Sequence, residues 1–111
     1  MSGIDLIREE RERQVQQEGW TEEHDKQHEG GELALAACCY ASPVQLFILR
    51  GRHSYIDPWP DWWDDCWDKR YRNLDDELIP NTELRTNLRI RNLVKAGALI
   101  AAEIDRLERD D

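Results

Sequence analysis

The stretch from Asn81 or Thr82 to about Arg109 constrains the fold most, because its apolar residues recur at helical spacing. Thr82 is a suitable N-cap, and Glu83 places an acid where it favours the positive end of a helix dipole. The residues that follow the helical period are Leu93, Ala96, Ile100, Ile104 and Leu107. This stretch therefore predicts the longest helix of the chain, against which the other segments pack.

A first helix is predicted from Gly3 to about Glu18, with Ser2 as its N-cap. Gly19 suits the left-handed residue that follows many helices, and Trp20 suits the apolar residue after it. One face carries a thin apolar stripe composed of Ile4, Ile7, Arg11 and Val15. Most of this helix is therefore expected to face water.

A short polar segment starts at the N-cap residue Thr21 and ends near His28, and Gly30 and Gly31 then break the chain. Glu32 opens a further helix, from Leu33 to about Ala41. Its small residues permit close approach by another helix, and they are Ala34, Ala36, Ala37 and Ala41. We expect this helix to be central to the core.

The middle of the chain is harder to classify. Residues Val44 to Leu49 form too short a run for periodicity to decide, and their helical surroundings favour a helix. The stretch from Gly51 to Pro60 is rich in turn residues, and four tryptophans follow among aspartates at Trp59, Trp62, Trp63 and Trp67. The predicted fold class is all-α, a small helical bundle of three or four helices with a Trp-rich irregular connector.

Length and charge limit the possible functions. A chain of 111 residues suits one domain, here residues 1–111. The net charge of −9 opposes direct binding to nucleic acid or to an anionic membrane. Two partner classes remain, a protein with a cationic surface and a small ligand held in a local pocket.

The cysteines favour a reducing compartment. There are three, Cys38, Cys39 and Cys66, which do not make an even disulfide framework, and no signal peptide precedes the first helix. No apolar run approaches the roughly 20 residues needed to span a bilayer. We therefore expect a cytoplasmic protein without a membrane partner.

A set of short motifs near both ends of the chain resembles a family of small, uncharacterised phage and prophage proteins. The N-terminal motifs are Glu12-Arg13-Gln14, Glu18-Gly19-Trp20-Thr21, Glu23-His24-Asp25, His28, Gly31-Glu32-Leu33-Ala34 and Tyr40-Ala41. The later ones are Trp59-Pro60, Trp62-Trp63, Leu93-Val94-Lys95-Ala96-Gly97-Ala98-Leu99-Ile100, Glu103-Ile104 and Arg106-Leu107.

The resemblance implies a phage or prophage accessory gene and carries no catalytic residues with it. Between Trp67 and Arg91 the chain departs from the family pattern, with an apparent insertion rich in Arg, Asn and Leu. Partner specificity is expected to lie in that insertion, residues 67–91.

One candidate chemistry is a divalent metal site. His24 and His28 are four residues apart, and therefore share a face of any helix, with Glu32, or alternatively Glu23 or Asp25, as an oxygen ligand. The order is HDxxH rather than the HExxH of zinc peptidases. The alternative is a polar segment whose side chains bond nearby backbone groups.

A second candidate is a metal-dependent nucleotide pyrophosphohydrolase, in which carboxylates on facing helices hold magnesium. The acids available for such a cage are Glu10, Glu12, Glu32, Glu103 and Asp105. Their spacing does not match the ExxE and ExxD pairs of those enzymes, because Glu103 and Asp105 point in different directions on a helix. Solvated surface acids are the alternative.

A third candidate is a binding surface. Trp59 and Trp62 are candidate partner- or ligand-binding residues, whereas Trp20 and Trp63 are expected to complete the core. The basic residues of the last helix are Arg85, Arg89, Arg91 and Lys95. They suit a phosphate or, alternatively, ion pairs with acids of the first helix such as Glu9 and Glu12.

The function that the sequence favours is non-catalytic binding. The protein is interpreted as a phage accessory factor that modulates or inhibits a host protein, for example a defence factor, through an acidic, Trp-bearing surface. The alternatives are a nucleotide-sequestering protein and the metal-dependent nucleotide hydrolase. A homodimer is also plausible, given the first helix's stripe and the small-residue helix.

Overall fold

A computed structural model of the protein describes residues 1–17, 31–61, 63 and 67–109. Within these residues there are three α-helices, two short β-strands and one turn of 3-10 helix. They are α1 (Gly3–Gln17), α2 (Glu32–Ala41), β1 (Ile48–Arg50), β2 (Ser54–Ile56), the 3-10 turn (Asn81–Glu83) and α3 (Thr86–Arg109).

The all-α prediction is wrong, because β1 and β2 form a two-stranded antiparallel sheet. Leu49 pairs with Tyr55 at the centre of this hairpin. The chain reverses at Gly51, whose φ of 74° is a left-handed conformation that glycine adopts at little steric cost. The expected helix at residues 44–49 is therefore absent, and the stretch from Gly51 to Pro60 contains a strand.

Helix α1 begins where the sequence predicts, and its predicted end, with Gly19 and Trp20, lies outside the described residues. The backbone N–H of Asp5 donates to Ser2 Oγ at 3.2 Å, and the backbone N–H of Ser2 donates to Asp5 Oδ2 at 3.2 Å. This reciprocal cap satisfies two donors at the helix start. The most buried side chains of α1 are nevertheless polar, Glu10 and Gln14, rather than those of the thin apolar stripe.

Helix α2 lies at the centre of the core, as its small residues predict. The cluster of buried residues is shared with α3 and with one tryptophan of the connector, and it comprises Leu33, Ala36, Ala37, Tyr40, Trp63, Ala96, Leu99 and Ala102. Alanines on both helices allow close approach of the two backbones. Trp63 is in the core, the placement that the sequence favours for it.

Helix α3 starts later than predicted. Leu84 is extended, with ψ of 151°, so the 3-10 turn does not continue into the helix that begins at Thr86. The face that packs inward is also different from the periodic set, since only Ala96 of that set is buried. Four large members, Leu93, Ile100, Ile104 and Leu107, remain about half exposed.

None of the described helices combines the length and the apolar character that a membrane span requires.

Candidate functional site: an apolar hairpin face and a charged cleft

The hairpin presents apolar side chains on both of its faces. Side chains alternate along a strand, so Ile48, which is 46% exposed, and Ile56 share one face, and they line an open groove of about 220 Å³ with Leu35 and Trp59 of the protein body. The opposite face carries Leu49 and Tyr55. Phe47 continues that face just before β1.

We call Phe47, Leu49 and Tyr55 the outer hairpin face. These three side chains are 56%, 57% and 68% exposed. A strand face turned to water ordinarily carries polar side chains, and contiguous exposed apolar surface is typical of an interaction site. Arg52, in the turn of the hairpin, is also exposed and adds a basic group at the edge of this face, whereas Arg50 alternates to the other face and lines the groove.

Arg70 ties the hairpin to the body of the protein. Its guanidinium donates to Asp68 at 2.9 and 2.7 Å and to Asp57 at 3.1 and 2.7 Å, and its side chain is only 8% exposed. Asp57 directly follows β2. The guanidinium also lies 4.6 Å from the centre of the Trp59 ring, a cation–π contact. The hairpin is therefore anchored through Asp57, the residue after β2, by a largely buried charge network.

The network affects the acid stability of the protein. Burial alone would raise the pKa of the Asp68 carboxyl, but hydrogen bonds from Arg70 outweigh it and hold that pKa below its ordinary value of 3.8. Burial opposes the charged form of Glu10 in the same way, and bonds from Arg13 hold the Glu10 pKa below 4.5. Both carboxylates therefore bind protons less readily in the folded protein than in the unfolded chain.

Stability should fall in acid for this reason. A lowered carboxyl pKa stabilises the fold at every pH above the unfolded value, and this contribution is lost as the pH falls through the folded value. In urea titrations we expect these two groups to contribute a constant free energy of unfolding from neutral pH to about pH 5, and a declining one below about pH 4. Asp68→Asn should make the free energy of unfolding fall less steeply with decreasing pH. Asp75→Asn, in an exposed loop, serves as the control and should keep the wild-type slope. The same slope in wild type and in Asp68→Asn would contradict the role given to Asp68.

The predicted tryptophan platform is partly an internal structure. Trp59 makes edge-to-face contacts with Tyr40 and Trp63, with ring centres 5.5 and 5.6 Å apart. Together with the Arg70 contact, these interactions hold Trp59 against the core. Trp62, the other candidate, lies outside the described residues.

The four basic candidates of α3 do not form one patch. Arg85 and Arg89 are exposed, and Arg91 Nη2 approaches Glu10 Oε1 at 3.5 Å. Lys95 is buried, with its ammonium 5.7 Å from the ring centres of both Tyr40 and Tyr71. Arg91 therefore forms an ion pair with the first helix, through Glu10 rather than through Glu9 or Glu12.

Lys95 lines a narrow charged cleft between α1 and α3 that has room for about one water molecule. The other lining residues are Glu10, Arg13, Gln14, Tyr40, Trp67, Lys69 and Leu99. Arg13 donates to both oxygens of Glu10, at 2.7 and 2.6 Å, and Gln14 donates to Glu10 at 3.2 Å. The buried Glu10 carboxylate is therefore bound by Arg13 and Gln14 within this cleft.

Of the three predicted metal ligands, Glu32 alone lies within the described residues. Glu32 opens α2, half-buried, while His24 and His28 lie outside the part of the chain that the structure describes. In that part no three histidine, cysteine or acidic side chains are grouped as metal ligands.

Cys39 is not a reactive thiol in this fold. Burial, more than any other influence, raises its pKa to about 12, so very little thiolate forms at neutral pH. Its neighbour Cys38 is exposed, and both are free.

Two features of these sites, the hairpin and the Arg70 network, are not predicted from the sequence. The hairpin was detectable in principle, because two short runs of β-prone residues flank Gly51-Arg52-His53. The Arg70 network was not, since residues 57 and 70 are brought together only by the tertiary fold.

No protein-family model matches the chain, and neither the curated proteins nor the solved structures include a significant match to it.

Proposed function

We propose that this protein is a phage or prophage accessory factor that acts by binding, without catalysis, and that modulates a host protein through the outer hairpin face. The observation that carries this proposal is the exposure of Phe47, Leu49 and Tyr55 side by side on one strand face. Large aromatic and aliphatic side chains at such a position supply most of the affinity in protein interfaces when they become buried.

The chemistry of the surface indicates the kind of partner. A complementary site is apolar at its centre, to receive Leu49 and Tyr55, and acidic at its edge, to receive Arg52 of the turn. This differs from the acidic, Trp-bearing surface that the sequence favoured, because Trp59 is committed to internal contacts. The net charge of −9 then limits adhesion to other acidic surfaces.

Capture from host lysate tests this proposal. The immobilised full-length protein should retain a discrete host protein, and the purified pair should bind measurably by calorimetry. Leu49→Asp should weaken that binding at least about tenfold, because the charge would be desolvated in the interface. The Leu49 side chain is exposed, so the melting temperature should change little.

Leu74→Asp is the matched control. Leu74 is fully exposed in a loop away from the hairpin, so this substitution adds the same charge to the same type of residue. We expect it to leave the affinity unchanged. Equal loss of binding in the control, or undiminished binding by the hairpin variant, would contradict the proposal.

A further inference from the structure

Helix α3 has a second apolar face that the protein's own core does not use. Five large side chains recur at intervals of three, four or seven residues and are between 44% and 52% exposed, namely Ile90, Leu93, Ile100, Ile104 and Leu107. We call them the α3 stripe. The core packs against other positions of the same helix, among them Ala96, Leu99 and Ala102. Helix α3 therefore has two apolar faces, one against the core and one half exposed.

The α3 stripe is continuous across its centre. The repeat of three and four places Gly97 in line with the other five residues. A Cβ atom at this glycine would lie 2.5 Å from Ile7 Cδ1, so the α1 side chain fills the space that a side chain at residue 97 would need. The stripe thus extends from Ile90 to Leu107, about 27 Å at 1.5 Å per residue.

Such a repeat is the seam by which two α-helices supercoil around each other. We propose that the α3 stripe is the interface of a homodimer in which two copies of α3 pack antiparallel. In this arrangement Ile90 of one copy lies against Leu107 of the other, and Leu93 lies against Ile104. At the centre of the seam, Ile100 of one copy lies against Ile7 of the other copy, where the Ile7 side chain covers Gly97.

Charge selects both the partner and the orientation. Arg89 precedes Ile90 at one end of the stripe; it is exposed, and the described residues provide no ion pair for it. Glu108 follows Leu107 at the other end and is also exposed, whereas Arg91 and Asp105 approach Glu10 and Arg11 of α1. A parallel pair would bring the Arg89 side chains of the two copies to the same level of the seam, whereas an antiparallel pair brings Arg89 of each copy level with Glu108 of the other. Opposed helix dipoles favour the same orientation.

Sedimentation of the full-length protein over a range of concentrations tests this interface. We expect wild type to sediment at twice the chain mass at micromolar concentrations. Ile100→Glu should raise the dimer Kd about a hundredfold or more, because two-fold symmetry places two charges in the seam. Leu74→Glu adds the same charge at an exposed leucine outside the stripe and should remain dimeric. The melting temperatures of dilute, monomeric samples serve to show that each variant is folded.

Charge reversal tests the orientation. Arg89→Glu should raise the dimer Kd about fivefold, since each substitution acts twice in a symmetric pair, and adding Glu108→Arg should restore much of the affinity. In a parallel dimer Arg89→Glu would instead tighten association by removing like-charge contacts. A wild-type protein that stays monomeric, or an Ile100→Glu variant that still dimerises like Leu74→Glu, would overturn the interface. Tightening by Arg89→Glu would overturn the antiparallel orientation.

Discussion

Replacing Arg70 with methionine should lower the free energy of unfolding by about 3–5 kcal/mol, the usual cost of removing one partner from a buried ion pair. Methionine keeps most of the apolar stem but none of the four donated hydrogen bonds to Asp57 and Asp68. The Asp68 side chain is only 13% exposed, so its carboxylate would remain buried with its strongest partner removed. Urea unfolding followed by circular dichroism measures the loss.

Arg72→Met is the matched control for this result. Arg72 also contacts Asp68, but at 3.4 Å, and its side chain is 36% exposed. Because exposed pairs contribute little, its replacement should cost less than about 1 kcal/mol. Equal losses for the two variants would contradict the role given to Arg70. The Arg70 variant should also bind the host partner more weakly, since Asp57 anchors the end of β2.

Replacing Asn81 with leucine should cost about 3 kcal/mol. The Asn81 amide donates to the carbonyl oxygens of Tyr40 and Ser42 at 2.7 and 2.8 Å, and its own oxygen accepts from Asn92 at 2.7 Å. Carbonyls at the end of a helix have no partner further along the helix, so this buried amide ties α2 to the segment before α3. Leucine would leave three buried polar groups unsatisfied.

A double-mutant cycle makes this expectation specific. Asn81→Leu and Asn92→Leu remove the same hydrogen bond from opposite sides, so the double variant should lose less stability than the sum of the single losses. Asn87→Leu, at an exposed position of α3, should change stability by less than about 0.5 kcal/mol. Additive losses for Asn81 and Asn92 would show that the shared bond contributes nothing.

The sequence predicts those elements whose signals are local. Ser2 and Asp5 form the helix cap that their spacing indicates, and the alanines of α2 identify the helix at the centre of the core. The start of α3 was misplaced because Asn81 is used for long-range hydrogen bonds rather than for a helix. Its position is therefore decided by Tyr40 and Asn92, and not by its neighbours in sequence.

Other features depend on contacts that no local pattern contains. Strands of three residues are shorter than any reliable period, and the hairpin is anchored by Arg70, thirteen residues beyond Asp57. Glu10 was read as a surface acid, yet Arg13 and Arg91 make its burial possible. Four periodic residues of α3, namely Leu93, Ile100, Ile104 and Leu107, remain about half exposed, whereas the fifth, Ala96, packs into the core with the small residues of an adjacent face.

Hydrogen exchange of the full-length protein, alone and bound to the captured host protein, tests the binding proposal most directly. Burial of the outer hairpin face should slow exchange at backbone amides between Phe47 and Tyr55, with little change in residues 10–14 and 95–99 of the charged cleft. Slowed exchange in the cleft with an unchanged hairpin would contradict the account.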